Sequence, residues 1–141
     1  MEVVLLPGLL CDATVWSAQV AALKPHANVT VADFSQLDSL EDMARASLAL
    51  RTSPLVAIGH SMGARVALEM VRAWSAARTA RARSLSIRKI AALIPNAELV
   101  VIEDSGHMST VEQPDQISRA LLRWLGLDEQ TQAPLGAATA R

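Results

Sequence analysis

The sequence predicts an α/β fold: a mainly parallel sheet of about four strands, flanked by helices on both faces. Three observations predict it. Short runs rich in Val, Leu and Ile recur at 3–6, 28–33, 55–58 and 98–103. Stretches with helical spacing separate them, giving the order βαβαβα and then αβα, which a parallel sheet covered on both faces satisfies. The turn Gly59-His60-Ser61-Met62-Gly63 falls between the third run and a helix, at the carboxyl edge where such sheets place their ligands.

Length and composition set the frame. At 141 residues, the chain suits one domain with a real core. We assign that domain to residues 1–125 and a small, polar tail to 126–141. The chain has no Tyr and a single Phe, so Val, Leu, Ile, Ala and Met must build the core. A net charge of −1 points to neither nucleic acid nor an anionic membrane surface. Cys11 is the sole cysteine, which excludes an intrachain disulfide and a multi-cysteine zinc site. No basic segment precedes the first apolar run and no stretch is long enough to span a bilayer, so a cytoplasmic protein is expected.

The elements follow in order. Val3-Val4-Leu5-Leu6 is apolar throughout and stops at Pro7-Gly8, as a strand buried on both faces would. Residues 12–24 read as a helix, capped by Asp12 or Thr14, with Val15, Trp16, Val20 and Leu23 on one face. Asn28 to Asp33 is a second, β-branched strand. Ser39-Leu40-Glu41-Asp42 resembles a capping box and opens a second helix. Leu55 to Ile58 is the third strand, and Met62 to Trp74 the third helix. Residues 75–84, with Arg78, Arg81 and Arg83 and no large apolar side chain, read as a solvated junction. Ile87, Ile90, Ala91 and Ile94 mark a fourth helix stopped by Pro95. Glu98 to Glu103 is the fourth strand, followed by a loop with Gly106-His107. Pro114 opens a last helix through Trp124.

The chemistry centres on Ser61. A chain that passes from strand to helix in so few residues crowds its own backbone, and Gly59 and Gly63 remove the Cβ atoms that would clash. Ser61 is then held in a strained turn with its hydroxyl at the sheet edge. Of the three histidines, His26 lies in a polar loop, His60 shapes the turn beside Ser61, and His107 follows a strand on the same edge. His107 is therefore the expected general base. The amides of Leu9 and Met62 are the expected oxyanion donors, Met62 because a helix begins there with unpaired N–H groups. Leu10, His60 and Met108 adjoin these groups and are candidate substrate contacts. Cys11 is a rival nucleophile but has no elbow and no local base, so a packed thiol is the simpler reading.

These motifs resemble the α/β-hydrolase superfamily of esterases, lipases and C–C hydrolases. Val3 to Leu10 is similar to its first strand and oxyanion loop, with Pro7 where a His often precedes the Gly. Gly59 to Gly63 is similar to its nucleophile elbow, and Val101 to His107 to its last strand and histidine loop. The resemblance implies a truncated α/β-hydrolase core in which Ser61 is the nucleophile, His107 the base, and no metal or organic cofactor takes part. It implies a carboxylesterase acting on small or short-chain acyl esters. Perhydrolysis or C–C hydrolysis is the alternative within the family, and a catalytically impaired, dimerising or ligand-binding scaffold the alternative outside it.

The departures from the family are as informative. In that family two more strands, the catalytic Asp after the second of them and usually a cap lie between the elbow helix and the helix before the last strand. Residues 75–84 stand in their place and contain no acid. Asp104 is the nearest candidate acid, with Glu103, Asp33 and Asp12 as others. Loss of two strands would move the last strand by about 10 Å, at about 4.8 Å per strand. A partner chain could fill that gap by edge pairing or strand exchange, so a homodimer is expected.

Overall fold

A computed structural model describes residues 1–50, 55–74 and 100–128. The fold is α/β: a small, open, parallel sheet of three strands, in the order β2-β1-β3, with helices on both faces. Strand β1 (Glu2–Leu6) is central and pairs with β2 (Asn28–Val31) and β3 (Leu55–Gly59). Its register sets Val4 opposite Thr30 on one side and Ala57 on the other, and Leu6 opposite Gly59.

The period-two alternation of a strand divides β1 between two cores. Val4 and Leu6 face one cluster, with Met43, Ala44, Val66 and Met70. These come from α2 (Leu40–Ala49) and α3 (Met62–Trp74). Val3 and Leu5 face the other, with Val15, Trp16 and Leu23. That second face is covered by a 3-10 turn (Ala13–Trp16), α1 (Ser17–Leu23) and α5 (Pro114–Trp124), which adds Leu121 and Leu122. All four of these β1 residues are essentially inaccessible, which explains why the run carries no polar residue.

The local signals operate as their chemistry dictates. The Asp12 side chain accepts from the Thr14 amide and hydroxyl at 2.8 and 2.5 Å and caps the 3-10 turn. The Ser39 Oγ accepts from the Asp42 amide at 3.1 Å and donates to the Asp42 carboxylate at 2.7 Å, capping α2. Three elements differ from expectation. The helix expected over residues 12–24 opens as a 3-10 turn and becomes α-helical only at Ser17. The strand expected over 98–103 is not formed at residues 100–103, and 98 and 99 lie outside the described residues. Val101 is 53% exposed, and a β-run without a paired neighbour gains no ladder hydrogen bonds. A four-residue helix, α4 (Ser109–Glu112), stands where a loop was expected. The junction at 75–84, the helix expected over 87–94 and most of the tail lie outside the described residues. Among the described residues no helix is long and apolar enough to cross a membrane.

Candidate active site

The three segments singled out by sequence meet at the carboxyl edge of the sheet. The elbow is fixed to β1 by a hydrogen bond from the His60 amide to the Leu6 carbonyl, 3.0 Å. The Gly63 amide then donates to the His60 carbonyl at 2.8 Å, and the Ala64 amide to the Ser61 carbonyl at 3.1 Å, starting α3. Both glycines are sterically required. A Cβ on Gly63 would lie 2.0 Å from the Leu6 carbonyl oxygen, and one on Gly59 would lie 2.3 Å from the Gly63 carbonyl carbon. Ser61, between them, has φ +52°, in the left-handed region that L-residues avoid.

That strain is not isolated. The non-glycine residues with positive φ among those described are Leu10, Ser61 and Asp104. One lies in each of the three loops at this edge. Strained backbone concentrated in this way marks sites where geometry is over-determined by the surrounding fold.

His107 Nε2 lies 2.8 Å from Ser61 Oγ. In the tautomer protonated at Nδ1, the Ser61 hydroxyl donates to Nε2, the arrangement needed for removing its proton. The His60 ring lies beside that of His107, centroids 5.2 Å apart, and meets the edge of Trp16 at 6.5 Å. His60 is buried, and its Nε2 has no partner among the described residues. Burial first, and then the charge of His107, hold the His60 pKa below its ordinary 6.5. His60 is therefore a neutral wall beneath His107, inside the elbow's packing.

The expected oxyanion donors are the Leu9 and Met62 amides. Neither the Leu9 nor the Met62 amide donates to a described group. Gly8 brings the Leu9 loop against the elbow: a Cβ there would lie 3.3 Å from Ser61 Cβ and 3.0 Å from the His60 ring. Leu9 and Leu10 are exposed, Leu10 to 99%, while Met108 packs against the α1 face of the core. A cavity of about 710 Å³ opens between the loops after β1 and β2, lined by Gly8, Leu10, Val31, Phe34, Met43 and Met62 among others. Ser61 and His107 are not in its wall, but Gly8 and Met62 join it to them. Asp12 and Asp33 also line it, their pKa values lowered by hydrogen bonds from Thr14 and Ser35.

No carboxylate hydrogen-bonds the His107 ring among the described residues. The Asp104 backbone carbonyl accepts from Gln113 Nε2 at 3.0 Å, and its carboxylate makes no bond to His107. Asp12 and Asp33 accept from their own loops instead. A residue that the sequence did not single out is engaged with this loop. Glu112, at the end of α4, accepts from the Gly106 amide at 2.5 Å and from the Met108 amide at 3.0 Å. A short helix between Met108 and Pro114 has too few residues for a periodic signal, so Glu112 reads from sequence as an ordinary surface acid.

Comparison with known proteins gave no match: no family model, no curated protein and no solved structure matches this chain.

Proposed function

We propose that the chain is a serine carboxylesterase built on a truncated α/β-hydrolase core, acting on small or short-chain acyl esters. The observation that carries this reading is His107 Nε2 at 2.8 Å from the hydroxyl of a Ser61 held at positive φ. Ser61 Oγ attacks the ester carbonyl while its proton passes to His107 Nε2. The tetrahedral oxyanion is held by the Leu9 and Met62 amides. Collapse expels the alcohol, which takes the proton from His107, and leaves an acyl ester on Ser61. Water then attacks that ester, His107 accepts its proton, and Ser61 and the free acid are regenerated.

The site works in this reading as a Ser–His pair. In subtilisin, loss of the Asp alone costs less than loss of the Ser or the His, so a pair retains catalysis. Slow turnover of activated esters is the expected activity. The apolar cavity beside Met62 receives one arm of the ester. Strand β3 is an outer strand among the described residues, and pairing of that edge with a second copy accounts for a homodimer. Light scattering tests that assembly, and a monomer mass contradicts it.

The test of the reaction is hydrolysis of p-nitrophenyl butyrate by the purified protein beside Ser61→Ala and His107→Ala. Turnover by the native chain, absent in both variants, is expected. Equal rates in all three would contradict the reading and favour a non-catalytic scaffold.

A further inference from the structure

We infer that Glu112 is the positioning residue for His107, a role that rests on the reading of Ser61 and His107 as a catalytic pair. His107 is carried on irregular backbone between Ile102 and Ser109, so no strand ladder fixes it. Its place is fixed by the carboxylate instead. Oε2 of Glu112 accepts from the amide before His107, and Oε1 from the amide after it. One charged group thus spans the histidine and holds both ends of its backbone, with hydrogen bonds of the charge-assisted kind.

The clamp is itself anchored. The Glu112 amide donates to the Met108 carbonyl at 2.9 Å and the Val111 amide to the same carbonyl at 2.8 Å, closing α4 onto the loop. Gln113 adds a brace at the far end of the loop through the Asp104 carbonyl. Gly106 makes room for the carboxylate: a Cβ there would lie 3.2 and 3.3 Å from its two oxygens, tighter than ordinary contact. The chemistry of the clamp is narrow. Gln keeps one acceptor but turns an NH2 toward an N–H donor. Asp keeps the charge but is a methylene too short to reach both amides. Glu112 is exposed and does not line the cavity, so its removal disturbs neither the core nor the substrate's binding surface.

The test compares the native chain with Glu112→Gln and Glu112→Asp by ester kinetics and by NMR. A catalytic distance that loosens by about 1 Å lowers the rate by about 100-fold. Glu112→Gln is expected to lower kcat by about 10- to 100-fold at unchanged KM, with Glu112→Asp between it and the native chain. The Gly106 and Met108 amide signals should move upfield, and the NOE between the His107 ring and the Ser61 β-protons should vanish, with the remaining amide spectrum intact. A native kcat in Glu112→Gln, or persistence of that NOE, would overturn the proposal. Were the native chain inactive on esters, the NOE alone would decide whether Glu112 positions His107, so the two failures remain distinct.

Discussion

Gly63→Ala is the sharpest probe of the elbow. The added methyl would sit 2.0 Å from the Leu6 carbonyl oxygen, 2.6 Å from its carbon and 2.8 Å from the Pro7 oxygen. All three are backbone atoms, at and just beyond the end of the central strand, and cannot rotate aside. The start of α3 would have to withdraw from β1 by about 1 Å or more to restore close packing. That motion parts Val66 and Met70 from Val4 and Leu6, which are buried together. Overpacking typically costs 1–3 kcal/mol, and a clash with fixed backbone belongs at or above the top of that range, about 3 kcal/mol. At a urea dependence of about 1–3 kcal/mol per molar, the midpoint would fall by about 1–3 M. Gly126→Ala is the control. Gly126 has φ +68° but nothing within 4 Å of an added Cβ, so it bears only the conformational penalty, about 1 kcal/mol. A Gly63→Ala shift no larger than that of Gly126→Ala would refute the steric account of the elbow.

Other outcomes follow from the same geometry. The pKa of His60 is lowered by burial and by His107, so the unfolded chain binds a proton before the folded chain does. Stability should therefore fall as pH drops below 6.5, by at most about 1.4 kcal/mol per pH unit, and His60→Leu should flatten that slope in urea titrations at pH 5 to 7.5. Ser61→Gly and Ser61→Ala both lack the hydroxyl, but only Gly tolerates φ +52° freely. The Gly variant should be the more stable by about 1 kcal/mol, read by thermal melting. Gln19 is fully buried and its Nε2 lies within hydrogen-bond distance of the Thr110 and Pro114 carbonyls and Ser118 Oγ, tying α1 to the segment after His107. Gln19→Leu should cost about 1–3 kcal/mol in urea unfolding, because those acceptors stay buried without a donor.

The half of the chain up to Trp74 was legible because its signals are local. Val3–Leu6 must be apolar to fill a two-faced central strand, Ser39 and Asp42 cap each other within one turn, and Gly59 and Gly63 have a steric duty that spacing alone reveals. Ser61 and His107 do come within 2.8 Å of each other, although the strand whose end was expected to bring His107 to the same edge is not formed at residues 100–103. The segment after Glu103 was less legible. Val100, Val101 and Ile102 have strand composition, yet a strand is made by its neighbour and not by its composition. The Glu112 clamp joins a side chain to two amides across a loop, and no periodicity encodes such a contact. For the same reason Asp104 was marked by its nearness in sequence, while the hydrogen bond seen at that residue runs through its backbone carbonyl.

The most direct test of the account is where an organophosphonate lands. The native chain, incubated with a fluorophosphonate probe and digested, should carry the adduct on the peptide containing Ser61, at one per chain. His107→Ala should remain unlabelled at the same dose, because the hydroxyl then has no base. Absence of labelling in the native chain, or an adduct of equal yield in His107→Ala, would contradict the claim that Ser61 is a nucleophile activated by His107.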